Sequence, residues 1–163
     1  MIINLEDFPA IRAKFKDKKI VCTSGFFDPI HPGHVSCIVE SKKFGDILIV
    51  IIDGDQRAIT KKGKAFMHEK DRAYIVDNIT GVDYVTIYNH PTANNCIGAI
   101  EIIKPDIFTK GGDRAGNSNT PEADLIESYG GKVIYNVGAS KIWSSSNYLE
   151  EWVEFVNSKK TNS

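Results

Sequence analysis

Two histidines, His31 and His34, stand on either side of a Pro-Gly pair in the stretch Cys22-Thr-Ser-Gly-Phe-Phe-Asp-Pro-Ile-His-Pro-Gly-His34. The stretch continues an apolar run, Ile20-Val21-Cys22, passes through Gly25, Asp28 and Pro29, and reads as a strand that turns into a helix. A helix start leaves backbone N–H groups without partners, and these attract a phosphate. Two imidazoles at the same place add donors that can follow charge as it develops on that phosphate. The spacing points to a nucleotide site. A solvated surface turn is the alternative for His-Pro-Gly-His alone, and its place between strand and helix argues against it. No Cys, Asp or Glu cluster accompanies the pair at ligand spacing, so a metal centre is the weaker reading.

The flanking elements must hold that turn in place. Asn4 to Phe15 reads as a leading helix with Asn4 as cap and Leu5, Phe8, Ile11 and Phe15 on one face, with Pro9 in its first turns. Lys19 to Ser24 is a short strand. From Pro32 a helix carries Val35, Ile38 and Val39 to its end before Gly45. Ile47 to Ile52 is an uninterrupted apolar run, as expected of a parallel strand covered on both faces. After Asp53-Gly54-Asp55 comes a loop with Lys61, Lys62 and Lys64, then a helix from Glu69 to Ile79 with Tyr74, Ile75, Val76 and Ile79 for packing and Arg72 on another face. Tyr84 to Tyr88 is a third strand, followed by a helix from a Thr92 cap through Lys104. Ile107 to Thr109 is a fourth strand, ending at Lys110-Gly-Gly-Asp113 and a polar loop from Arg114 to Thr120. A helix from Thr120-Pro121-Glu122 stops at Gly130-Gly131, Lys132 to Val137 is a fifth strand, and Ser144 or Ser145 opens a last helix.

This alternation implies an α/β fold, a Rossmann-like, doubly wound, five-stranded parallel sheet in one domain. The domain is read over 1–163, with its core at about 19–157, a leading helix in 1–18 and a tail at 158–163. Ligands of such sheets bind beyond the carboxyl ends of the strands, where the strand order reverses. The loops Gly25 to His34, Asp53 to Lys64, Lys110 to Asp113 and Gly138 to Ser146 all follow strands and should share one rim.

Composition narrows the possibilities. The chain has 163 residues, 42% of them hydrophobic, enough for one core. The net charge of −1 excludes a global basic field of the kind that binds nucleic acid, so any anion site is local. Cys22, Cys37 and Cys96 are odd in number and set in apolar surroundings, which suits buried free thiols in a reducing compartment. The longest apolar run falls well short of the ~20 residues that span a bilayer, and the amino terminus lacks a secretory pattern. The expectation is a soluble, cytoplasmic protein.

Gly25-Phe-Phe-Asp28 followed by His31-Pro-Gly-His34 resembles the signature of the cytidylyltransferase-like nucleotidyltransferase superfamily. The likeness runs from about Ile20 to Trp152. Within the superfamily, Lys62-Gly63, Lys110-Gly-Gly-Asp113, Gly130-Gly131 and Ser144-Ser-Ser-Asn147 look most like the adenylyltransferase domain of ADP-heptose synthases, with glycerol-3-phosphate cytidylyltransferase next. The resemblance implies attack by a substrate phosphate oxygen on the α-phosphorus of a nucleoside triphosphate, with pyrophosphate leaving and Mg²⁺ as cofactor. Such a reaction needs alignment and charge stabilisation more than a covalent nucleophile. The resemblance makes His31, His34, Lys61 and Lys64 catalytic, with little to separate Lys62 from the other two lysines. It assigns Gly25, Phe26, Phe27, Asp28, Gly33, Asp55, Arg72, Lys110, Gly111, Asp113, Ser144, Ser145 and Ser146 to the nucleotide, with Asp28 also a weak metal ligand.

Each assignment has a plainer alternative. The lysines would otherwise be a solvated charge run, Arg72 a surface helix charge, Asp55 a turn cap, Lys110-Gly-Gly-Asp113 a turn and the serines a helix cap. Where glycerol-phosphate cytidylyltransferases carry Arg-Thr-Glu-Gly-Ile-Ser-Thr, this chain has Ala139-Ser-Lys-Ile-Trp-Ser-Ser, so ATP is favoured over CTP. A small sugar phosphate such as a heptose 1-phosphate leads as acceptor, and glycerol 3-phosphate or another polyol phosphate follows. A homodimer without nucleic-acid or membrane partners is expected from the family. A nucleotide-binding sensor without turnover is the reading from another class.

Overall fold

The computed structural model describes residues 1–90, 95–112, 120–140 and 142–161. Its sheet consists of β1 (Ile20–Gly25), β2 (Ile47–Asp53), β3 (Tyr84–Tyr88), β4 (Ile107–Thr109) and β5 (Lys132–Ile134), in the order β3-β2-β1-β4-β5. Every pair is parallel, and β1 runs between β2 and β4. The strand order therefore reverses at β1, and the crevice beyond the carboxyl ends of β1 and β4 is where such sheets take ligands.

The apolar run of β2 is explained by its two coats. Ile49 and Ile51 join Ile20, Cys22 and Phe108 in one core cluster, under α5 (Ile97–Ile103) and the leading segment, through Ile100, Ile103, Leu5 and Phe8. Leu48, Val50 and Ile52 join Val21 in the other, under α2 (Pro32–Ser41) and α4 (Glu69–Asp77), through Ile38, Ala73 and Val76. Each such side chain contributes about 1.5–3 kcal/mol by leaving water. The doubly wound sheet expected from the sequence is what forms.

Several elements depart from expectation. The leading helix is a single α-helical turn and a half, α1 (Phe8–Arg12), between 3₁₀ turns at Leu5–Asp7 and Ala13–Phe15; Pro9 suits its first turn, and Asn4 makes no side-chain cap to the backbone. The lysine-bearing segment is a helix, α3 (Asp55–Lys62), and not a loop. Its inward face buries Arg57 and Ala58, so it lacks the apolar periodicity by which helices are recognised. On α4 Val76, and just past its end Ile79, pack on the core as expected, but two residues exchange places: Arg72 is buried and Tyr74 exposed. β5 stops at Ile134, and α6 spans only Ala123–Ser128. The last helix, α7, runs Ser145–Thr161. Thr92 and the 114–119 segment lie outside the described residues.

Candidate active site

The four strand-end loops meet around one cleft of about 660 Å³. Its wall includes Gly25, Phe26, Phe27 and Asp28 after β1, His31, Gly33 and His34 at the start of α2, Lys61 and Lys62 on α3, Lys110 and Gly111 after β4, and Ser145 on α7.

The histidines are locked together. The backbone N–H of His34 donates to Nδ1 of His31, and that of His31 donates to Nδ1 of His34, each at 3.3 Å. This is a capping box in which imidazoles replace the usual hydroxyl and carboxylate. The rings stack with centroids 3.6 Å apart and planes 14° from parallel. Both Nδ1 atoms are acceptors, so each neutral ring carries its proton on Nε2. Burial lowers the pKa of His34 to about 4, helped by His31 and by Lys62, and burial also lowers that of His31. The pair thus offers two neutral N–H donors beside the amino terminus of α2, a site suited to phosphate oxygens. A Cβ on Gly33 would stand 3.1 Å from the His31 ring and 3.2 Å from Trp143, so glycine there leaves room for the pair and for Trp143, itself part of the cleft wall.

Phe26 gathers cations. Arg57, Lys61 and Lys62 lie 5.7, 5.2 and 4.7 Å from its ring centroid, within reach of the ring's negative face. Lys62 lies 3.8 Å from a carboxylate oxygen of Asp28 and donates to that residue's carbonyl. Burial lowers the Lys62 pKa, with Asp28 opposing. Lys64 is not in the cleft. Gly63 ends α3 in the left-handed conformation, φ 85°, and turns the chain away before Lys64.

Asp28, Arg72 and Asp55 are engaged by the protein itself. Asp28 is 2% exposed, and its carboxylate accepts the backbone N–H groups of Phe66 and Met67 at 3.0 and 2.7 Å. It ties the loop before α4 to the loop after β1. Both oxygens are used in this tie and the side chain is shut off from solvent, and among the described residues no group of three His, Cys, Asp or Glu side chains is placed to hold a metal. Arg72, 1% exposed, does not reach the cleft surface. It donates to the carbonyls of Phe26, Asp53 and Met67 and to the carboxylate of Asp55, at 2.6–3.0 Å. Asp55 is thereby occupied at the start of α3, and neither residue belongs to the cleft wall.

Of the three serines, Ser144 caps α7 through the Asn147 N–H, Ser146 is exposed, and Ser145 enters the cleft wall while donating to the carbonyl of Pro29 at 2.7 Å. Asp113 lies outside the described residues.

Sequence reasoning missed Asp53, Arg57, Cys96 and Glu122, all in the cleft wall. Arg57 follows Asp53 by four residues and is ion-paired to it; that spacing was the available signal. Cys96 and Glu122 gave none, because Cys96 reads as a buried free thiol within a helix and Glu122 as part of an ordinary helix start.

A nucleotide-sized cleft at the strand-order reversal, with a phosphate-ready helix start and facing cations, defines a phosphate-transfer class of α/β protein. Residues 22–159 match the cytidylyltransferase-like family, and the chain belongs to that family of nucleotidyltransferases. It is 35% identical over 130 residues to the bifunctional protein HldE of Desulfatibacillum aliphaticivorans, covering 78% of this chain and 26% of that protein. It is 37% identical over 126 residues to HldE of Geobacter metallireducens, covering 74% and 24%. The chain spans about a quarter of the length of these curated relatives. Among solved structures, a lipopolysaccharide core biosynthesis protein from Thermoplasma volcanium superposes with TM-score 0.63 at 26% identity, over 75% of this chain and 98% of that one. A pantoate-β-alanine ligase from Francisella tularensis, TM-score 0.61 at 17% identity, over 91% of this chain and 72% of that one, shares the fold. Among the described residues no helix is long and apolar enough to cross a membrane.

Proposed function

We propose that this enzyme transfers a nucleoside monophosphate, AMP ahead of CMP, from its triphosphate to a small sugar phosphate such as a heptose 1-phosphate, and releases pyrophosphate. The observation that carries the reading is the stacked His31–His34 pair, two Nε2–H donors at a helix start, facing Lys61, Lys62 and Lys110 in one cleft. An acceptor phosphate oxygen attacks the α-phosphorus, the bond to the β-phosphate oxygen breaks, and the electron pair leaves on pyrophosphate. The imidazoles hydrogen-bond the phosphate oxygens as negative charge builds, and Lys61 and Lys62 hold the leaving group. Among the described residues no His, Cys, Asp or Glu cluster is placed to hold a metal, so Mg²⁺ would enter held by the triphosphate oxygens and would supply charge neutralisation there.

The sugar phosphate acceptor follows from likeness to the HldE proteins. ATP is favoured because Ala139 lines the cleft where the glycerol-phosphate cytidylyltransferases have arginine. CTP with glycerol 3-phosphate or another polyol phosphate is the second reading, kept by the family's description. The test is a matrix of nucleoside triphosphates against phosphorylated sugars and polyols with Mg²⁺, read by pyrophosphate release. Release with ATP and a sugar phosphate supports the proposal. Tight triphosphate binding without release from any pair replaces it with a sensor. The family resemblance adds a homodimer in the cytoplasm, and light scattering on the purified chain checks the dimer.

A further inference from the structure

Glu122 stands just ahead of α6 and is 3% exposed, yet it forms part of the cleft wall. Its Oε1 accepts the backbone N–H of Cys96 at 2.9 Å and the Cys96 thiol at 3.1 Å. Its Oε2 is buried and has no hydrogen-bond partner among the described residues. Burial alone would push this carboxyl up, but Lys110 and the bonds from Cys96 outweigh it and hold the pKa below the ordinary value. Glu122 is therefore ionised at neutral pH, and an unpaired oxygen on a buried carboxylate is costly until a donor arrives.

The surroundings select the donor. Lys110 donates to Oγ of Ser24 at 3.2 Å, and the Cys96 sulfur lies 3.5 Å from that hydroxyl. Ser24, Cys96, Lys110 and Glu122 thus make one connected polar corner. Lys110 already balances the carboxylate charge, so the corner calls for a neutral donor, and a hydroxyl is the simplest. Its position within the cleft is also defined. Side chains alternate along β1, so Ser24 points to the face of Ile20 and Cys22. The helix of His31 and His34 packs through Ile38 on the opposite face, with Val21. Glu122 and the imidazoles line the same cleft from opposite sides of β1, as the binding sites of two reaction partners would need.

We infer that Glu122 is a specificity-determining residue, whose free carboxylate oxygen receives a hydroxyl of the acceptor and so selects a polyhydroxylated phosphate. This rests on the reading of the acceptor as a sugar or polyol phosphate. Glu122→Gln keeps the shape of the side chain and removes its charge. With the acceptor found in the matrix above, the variant should raise the acceptor KM roughly 10- to 100-fold, leave the triphosphate KM unchanged and retain most of kcat. Acceptor analogues lacking one hydroxyl at a time should include one that the wild type uses as poorly as Glu122→Gln uses the full acceptor, and for that analogue the substitution should make little further difference. If Glu122→Gln fails to fold, Glu122→Asp, which withdraws the charge by one methylene, takes its place with the same expectation. An unchanged acceptor KM overturns the inference and leaves the proposed function standing. A raised triphosphate KM also overturns it, by moving Glu122 to the nucleotide. Turnover with no phosphorylated sugar or polyol at all overturns the proposed function and the inference together.

Discussion

At the scale of single residues, the site depends on imidazoles that stay neutral. His34 has its pKa lowered to about 4 by burial, by His31 and by Lys62, so its carbon-bound ring proton should titrate in NMR near pH 4 and not near the ordinary 6.5. The stability consequence has a definite sign. Between about pH 4 and 6.5 the unfolded chain binds a proton at this position that the native state refuses, so stability rises with pH through that window and is lost as pH falls. Melting curves over this range should be steeper for the wild type than for His34→Gln; parallel curves would show that the depressed pKa is absent. The lysines separate by position as well. Lys62→Ala should lower kcat/KM for the triphosphate by about 10²-fold, whereas Lys64→Ala should leave the kinetics at wild type. His31 and His34 were legible because their chemistry sits in a short, ordered motif, whereas Lys61 came only with the lysine run that holds it. Lys62 was not separable from Lys64, since the glycine between them acts through a backbone angle that a sequence does not display.

At the scale of elements, Arg72 matters more than its solvent-facing look in the sequence suggests. Its guanidinium joins the exit of β1, the end of β2, the start of α3 and the loop before α4 through four acceptors. Arg72→Met would take their donor from all four acceptors, the buried Asp53 carbonyl among them, which should cost about 3–5 kcal/mol and lower Tm by roughly 10 °C. Arg72→Lys should recover part of the loss, since a single ammonium cannot reach every arm of the fork. A calorimetric scan of both variants checks this, and equal melting to wild type would remove the tie. The same residue explains where pattern reading stopped. Strands β1 to β4 were readable because both faces are apolar and turn residues bound them. Helices α3 and α4 were misjudged in extent or facing because each buries an arginine, and hydrophobic periodicity has no means of scoring a buried cation.

At the scale of the molecule, stability is concentrated in the middle of the sheet. β1 and β2 are coated on both faces, while β5 has three residues and α7 leaves Trp152, Val153 and Phe155 exposed. Hydrogen exchange should therefore be slowest for amides of Val21 to Thr23 and Leu48 to Ile51, and fast for the second half of α7. Uniform protection across both would mean that α7 is held by something these contacts do not contain. The general architecture was legible because strand and helix alternate with correct spacing. The Glu122 corner of the cleft was not, because its wall joins Ser24, Cys96 and Glu122 from three distant parts of the chain.

The reciprocal cap between His31 and His34 has a genetic consequence. Each ring fixes the other's backbone as well as facing the cleft, so deleting either one frees its neighbour to swing. His31→Ala and His34→Ala should each lower kcat by about 10²-fold or more, and the double substitution should be hardly worse than either alone. To mutation, the two histidines are a single locus.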